Sequence, residues 1–327
     1  MAAANHIDTI VWLQHAWRNR LQSLLLLVVM AGFLALLGWL LWGVNGLLVL
    51  VSVGAAAVLA NPTFSPWLVM RMYGARPLDH DQAPVLWRVL SELAARAGLA
   101  SHPQLFHVPS RMLNAFSIGF RDKSAIAVTD GLLRQLDMHE LVGVLAHEVS
   151  HIRNNDLWVM GIADLFSRAT SLLSLLGQFL LLMNLPLILF SQASVSWLAI
   201  LLLIFAPNLS ALAQLALSRT REYDADLNAA WLTGDPEGLA QALAKIERVQ
   251  GGWLERFFLP GRRVPEPSLL RTHPQTEERI AHLMALKPQF KDIDYPRLRK
   301  YKSPDIDAMF GAHVRRVPRW HMNGLWY

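Results

Sequence analysis

Residues 21–42 read LQSLLLLVVMAGFLALLGWLLW, with no Asp, Glu, Lys or Arg among them. A helix that crosses a bilayer needs about 20 such residues. The same four residue types are missing from the whole of residues 21–70, and again from residues 169–218. Each block is fifty residues long and has a polar interruption near its middle: Gly43, Asn45 and Gly46 in the first, Ser191, Gln192 and Ser194 in the second. Each block therefore predicts a hairpin of two membrane helices, four spans in all. Asn61, Pro62 and Thr63 blur the far end of the second span, and Pro186 weakens the third. The first run starts at residue 21 and is too long for the apolar core of a cleaved signal, so it reads as a retained anchor.

The composition agrees. Charged residues make up 17% of the 327-residue chain and hydrophobic ones 53%, with a mean hydropathy of +0.29. Soluble domains are nearer a quarter charged. There are no cysteines, which excludes disulfides and thiolate metal sites; any metal must be held by His and carboxylate. The formal charge of +5 is modest, and nucleic acid is not an expected partner. Its distribution says more. Arg18 and Arg20 precede the first block and Arg71 and Arg76 follow it; Arg153 and Arg168 precede the second, and Arg219 and Arg221 follow it. Positive residues at membrane ends stay in the cytoplasm, so both termini and everything between the blocks are expected on that side of a multi-pass protein.

Between the blocks, residues 83–98 have apolar positions at helical spacing, and residues 104–108 and 124–129 read as short strands, with 114–120 a third candidate. A helix is predicted from about 138 through 151. Beyond the second block, residues 217–232 continue as a helix. Asp235-Pro236 starts another, because Asp accepts free N–H groups and Pro suits the first turn. Residues 251–267 form a Gly/Pro-rich loop, and residues 275–286 a last helix. The expected fold is a membrane α+β protein, mainly helical: four transmembrane helices as two hairpins, plus a cytoplasmic catalytic domain of zincin type with a small sheet. The expected division is a membrane hairpin (1–70), a first catalytic part (71–168), a second hairpin (169–218), a second catalytic part (219–286) and a basic, aromatic tail (287–327).

The chemistry centres on His147-Glu148-Val149-Ser150-His151. On a helix, residues four apart share a face, so both imidazoles can reach one ion. Zinc accepts neutral imidazole nitrogens in a tetrahedral site with one position left for water. Glu148 is rotated off that face but near enough to take a proton from the water. Residues 141–146, just before the motif, are all apolar or Gly, as suits a buried helix. A metzincin would need Gly at 154 and His at 157, where this chain has Asn154 and Leu157. The third ligand is then a distant carboxylate. Glu222 and Asp226 lie four apart just past the second block, so one can bind the metal while the other orients a ligand. An even number of spans separates His151 from Glu222, which brings both to the same side. His273 is the rival third ligand, though His-Pro before a helix also reads as a plain loop end. Asp156 either orients a ligand or caps a helix.

The motif at 147–151, Asn155-Asp156 after it, and Ser218-Arg219-Thr220-Arg221-Glu222-Tyr223 together resemble the HtpX family of bacterial membrane zinc proteases, with the CAAX prenyl proteases more distant. Asn114-Ala115-Phe116 and Thr272-His273-Pro274 look like motifs of the same family. The resemblance covers most of residues 70–285 and leaves 287–327 outside. Four spans resemble HtpX rather than the CAAX proteases, which have more. The resemblance implies a site of gluzincin type with one zinc per chain, Glu222 as third ligand and Asp226 supporting it. It also implies that Asn114 and Ala115 hold substrate backbone on an edge strand, and that His273 faces the cleft and stabilises an oxyanion. The implied substrates are proteins, chiefly membrane proteins.

Two other classes fit the sequence less well. A zinc-binding membrane scaffold or chaperone-like protein has no need of a base at Glu148. A metal transporter would place ligands inside its spans, yet neither block contains Asp, Glu or His.

Overall fold

The computed structural model describes residues 9–59, 67, 70–71, 73–120, 123–190, 197–250 and 276–290. They fall into two units. One holds the described residues within Met1–Gln14, Pro62–Trp158 and Arg221–Tyr327, the other those within His15–Asn61 and Val159–Thr220. The loop at 251–267, the hairpin tip at 191–196, His273 and the tail from 291 onward lie outside the described residues.

The first unit is built on a four-stranded sheet of β1 (Arg76–Pro77), β2 (Gln104–Val108), β3 (Ala115–Phe120) and β4 (Lys123–Thr129), in the order β1-β2-β4-β3. β2 and β4 run parallel, with Leu105 opposite Ile126, and β3 lies antiparallel along β4, with Ala115 opposite Val128. Side chains alternate across a strand, and the two faces separate cleanly. Leu105, Ala115, Ile126 and Val128 join the main core, while Phe106, Phe116, Ile118 and Ala127 pack with Met70 and Tyr73 on the other face. β3 is at one end of the order.

Helix α2 (Pro84–Arg96) buries Leu86, Val89, Leu90 and Leu93 in the main core. Its Pro84 occupies the first turn, where a missing N–H costs nothing. Thr129 ends β4 and caps the short α3 (Asp130–Gln135) by accepting from Leu132 N. Neither α3 nor β1 was expected from the sequence. Helix α4 (Met138–Asn154) starts at a capping box in which Asp137 and Glu140 satisfy each other's backbone N–H. It packs against α2, β3 and α8 (Pro236–Gln250). The crossing with α8 is tight: a Cβ on Gly143 would stand 2.6 Å from Leu239 N, and one on Gly238 2.7 Å from His139 O. Asp235 caps α8 through Glu237 N and Gly238 N. Helix α9 (Thr276–Leu286) packs on α8 in turn.

The second unit is apolar. Helix α1 (Thr9–Leu59) is interrupted at Trp42–Gly43, where Gly43 has φ +60. The chain reverses there, because a Cβ on Gly46 would meet Gly38 O at 2.2 Å, which two sites eight residues apart on a straight helix could not do. The two limbs of α1 therefore fold back on each other. Helix α5 (Asp156–Met183) ends before Asn184, and α6 (Leu185–Phe190) carries Pro186 in its first turn. Helix α7 (Trp197–Thr233) runs on through Pro207. Ser167 and Ser210 hydroxyls meet at 3.1 Å, and Ser174 donates to Leu203 O, polar links that hold helices together where hydrophobicity gives no drive. Leu24, Val28, Leu172, Leu175, Leu182 and Leu212 are exposed, as lipid-facing side chains would be. Among the described residues three helices are long and apolar enough to cross a membrane: Arg20–Leu40, Asp156–Met183 and Ile200–Thr233. The return limb of α1 is described as far as Leu59.

Candidate metal centre

Helix α4 carries His147, Glu148 and His151; the last turns of α7 carry Glu222 and Asp226; the first residue of α5 is Asp156. The structure brings all six into the first unit and buries them, His151 alone keeping 12% of its side chain exposed. The Nε2 atoms of His147 and His151 face each other at 3.0 Å. Glu222 closes a triangle, with Oε2 3.4 Å from His147 Nε2 and Oε1 3.7 Å from His151 Nε2. One ligand atom from each of the three lies within 4.8 Å of the others. A tetrahedral zinc with bonds of about 2.0–2.1 Å spaces its ligands by roughly 3.3 Å, so this donor set fits such an ion without rearrangement.

Each imidazole is oriented from behind. Asp226 Oδ1 stands 3.0 Å from His147 Nδ1, and Asp156 Oδ2 2.8 Å from His151 Nδ1. The Asp156 carboxylate on the far nitrogen of His151 fixes the tautomer that presents its Nε2 to a metal, whereas Asp226 faces His147 Nδ1 as an ion pair without the alignment of a hydrogen bond. The Asp156 contact depends on a local break. Asn155 takes a left-handed conformation (φ 56) that ends α4, so α5 begins with Asp156 turned back toward His151. Asn tolerates that region where most residues do not.

Two arginines complete the arrangement: Arg221, which in the sequence stands only as a flanking charge and motif member, and Arg279, to which the sequence assigns no role. Arg221 Nη1 donates to Asp156 Oδ1 at 3.1 Å. Arg279 of α9 grips both oxygens of Asp226, at 2.7 and 2.8 Å, and pairs with Glu222 Oε2 at 3.0 Å. A signal for Arg279 was present: it shares a helix face with Leu283 and Leu286, a charge on the apolar stripe of an amphipathic helix.

The formal charges argue for a divalent cation. Glu148, Asp156, Glu222 and Asp226 oppose Arg221 and Arg279, all buried. Four carboxylates against two guanidinium groups leave a deficit of two positive charges, and buried charge must be compensated. The protein alone makes up part of it with protons. Burial disfavours charge on His147, but the Asp226 and Glu222 carboxylates outweigh that and push its pKa up to about 9. His151 is also raised, against burial and the neighbouring His147, by Asp156 and Glu222. Burial likewise disfavours charge on Arg279, and Asp226 and Glu222 more than offset it.

Of the other expected residues, Asn114 immediately precedes edge strand β3, and Ala115 begins it. The Asn114 backbone is engaged by Thr129, whose Oγ1 accepts from Asn114 N at 3.0 Å and whose N donates to Asn114 O at 3.0 Å. β3 packs beside α4, the helix of the two histidines.

The profile of peptidase family M48 matches residues 80–287, the stretch that contains every residue of this centre. The chain is 33% identical over 291 residues to a protease HtpX homolog of Desulfatibacillum aliphaticivorans, covering 83% of this chain and 91% of that one. With the corresponding protein of Aquifex aeolicus it shares 36% over 272 residues, 78% and 89% of the two chains. With that of Pyrococcus furiosus it shares 35% over 283 residues, 79% and 93%. The crystal structure of S. mikatae Ste24p superposes with a TM-score of 0.46 at 20% identity, covering 83% of this chain and 66% of that one. A metal-ligand set on the expected helices, apolar membrane-length helices and this extent of similarity agree: the chain belongs to peptidase family M48 and is a membrane metalloprotease related to HtpX.

Proposed function

We propose that this protein is a zinc endopeptidase that hydrolyses peptide bonds of membrane proteins on the cytoplasmic side of a bacterial inner membrane, close to the bilayer surface. The observation that carries the proposal is the convergence of His147, His151 and Glu222 beside Glu148 in one buried cluster. The side follows from the arginines flanking both apolar blocks. The catalytic region would be assembled from residues 71–168 and 219–286, with four spans forming the two hairpins.

His147, His151 and Glu222 would hold one zinc, which when bound supplies a Lewis acid and lowers the pKa of water to about 7. Glu148 accepts the proton of the attacking water and returns it to the leaving amine. Asp156 holds His151 in the tautomer and direction a ligand needs, and Asp226 pairs with His147 from behind. The outer edge of β3, next to α4, suits an extended substrate backbone added as a further strand, beginning at Asn114 and Ala115. His273 would donate to the oxyanion, a role that rests on the resemblance of its Thr-His-Pro motif. Incubation of the purified protein with a model membrane protein tests the reading. Cleavage that stops with a chelator and returns with zinc is expected; cleavage indifferent to chelation overturns it.

A further inference from the structure

The outer face of α7 carries a regular pattern. Leu201, Phe205, Asn208 and Leu212 follow one another at intervals of four, three and four residues, and all four are exposed, Leu201 and Phe205 at 52% and Leu212 at 62%. Alternating intervals of four and three keep side chains on one stripe, the seam along which two helices pack with a left-handed supercoil. Asn208 is the polar member of that stripe. It stands eleven residues from Trp197, where α7 begins, and eleven from Arg219, the first charge beyond the apolar block. At 1.5 Å per residue that is about 16 Å from either end, the middle of a hydrocarbon core.

The polar groups beside Asn208 on α7 are satisfied inside the unit. Pro207 has no N–H and leaves Leu203 O without its helical donor, and Ser174 of α5 donates to that oxygen. The Ser210 hydroxyl meets that of Ser167. Asn208 points outward instead, and among the described residues its carboxamide has no hydrogen-bond partner. Two N–H donors and an acceptor oxygen facing hydrocarbon are costly until they are paired. A second copy of this chain supplies the pairing. Chains inserted alike in one bilayer run parallel, so their Asn208 residues lie at equal depth, whereas any other protein must bring a polar residue to that depth. A carboxamide is donor and acceptor at once, so two of them bond reciprocally across a twofold axis.

We propose that the outer face of α7 is the interface of a homodimer, in which two α7 helices pack in parallel along this stripe and each Asn208 bonds to the partner's Asn208. Leu201, Phe205 and Leu212 set the close approach but give little drive in lipid, whose acyl chains are as apolar as leucine. Asn208 supplies the attraction and fixes the register, as a single Asn on such a seam does. The inference does not depend on the metal centre.

The chain has no cysteine, so a single introduced thiol reports the interface cleanly. The full-length protein is reconstituted in phosphatidylcholine vesicles and oxidised with copper phenanthroline, which joins two thiols that meet. Phe205→Cys and Leu212→Cys are each expected to give a disulfide-linked dimer. Leu172→Cys on α5, exposed at 67% but off the stripe, is expected to stay monomeric. Adding Asn208→Leu to either reporter should raise the protein-to-lipid ratio needed for half-maximal crosslinking by about 5–30-fold, the worth of an interhelical hydrogen bond in a membrane. Asn208→Gln keeps the carboxamide and should retain most of the crosslinking. Both substitutions face lipid, so thermal stability should match wild type. Equal crosslinking at Leu172→Cys and Phe205→Cys, no dimer from either stripe reporter, or a dimer indifferent to Asn208→Leu would overturn the proposal. In cell membranes, crosslinks from the stripe to another membrane protein in place of a second copy would overturn it too.

Discussion

His151 Nδ1 lies 2.8 Å from Asp156 Oδ2, five residues further along the chain, across a helix break held open by the left-handed Asn155. A candidate metal ligand and the carboxylate behind it are thus encoded within one short segment. Arg221, adjacent in sequence to Glu222, holds the other oxygen of the same carboxylate. The two helices that supply ligands are therefore tied together behind the metal position.

Asp156→Asn keeps the shape and removes the charge. It should weaken zinc binding by about 10–100-fold, the usual cost of losing a carboxylate behind a ligating histidine, while Asn155→Gly, which accepts the same backbone conformation, should change it little. Zinc competition with a chromogenic chelator measures both. Equal affinities in Asp156→Asn and wild type would show that Asp156 serves as a helix start alone.

Zinc affinity should depend on pH with a defined sign. In the metal-free protein the carboxylates hold a proton on His147 up to about pH 9, and His151 is raised as well. A ligating imidazole must be neutral, so zinc has to displace these protons. Apparent affinity should then rise about tenfold per pH unit below pH 9 for the His147 proton, as mass action requires. An affinity that stays flat between pH 7 and 9 would contradict the coupling.

How far these features were legible in the sequence depends on their range. The His147/His151 pair is an i,i+4 relationship and can be read directly. Glu222 needed a topological step, the even number of spans between it and His151. The sheet order was not legible, since the parallel pairing of β2 with β4 around an edge β3 is set by packing between segments and not by either strand's own pattern. α3 forms at Asp130 because Thr129 caps it and bonds back to Met112 and Asn114, contacts made across the fold. Arg279 meets Asp226 from 53 residues away, and nothing local announces the partner.

The α4–α8 crossing makes Gly143 intolerant of any side chain. A Cβ there would stand 2.6 Å from Leu239 N and 2.8 Å from its Cα, and backbone cannot rotate aside. Gly143→Ala should destabilise the protein by about 1–3 kcal/mol through overpacking, although alanine is the better helix former. Chemical unfolding in detergent measures it. A variant as stable as wild type would show that the helices can separate at no cost.

Membrane orientation is open to direct labelling. With arginines at all four block ends, a reporter fused after Tyr327 or inserted within residues 251–267 should be reached by cytoplasmic reagents alone. Labelling of either site from the opposite side would remove the four-span arrangement.

The central claim, that His147, His151 and Glu222 hold a metal while Glu148 moves the proton, is tested most directly by Glu148→Gln. Zinc content by elemental analysis and cleavage of a membrane-protein substrate are measured on one preparation. The account predicts one zinc per chain, as in wild type, with cleavage reduced by about 10²–10⁴-fold. Near-normal cleavage by the zinc-loaded variant would contradict it.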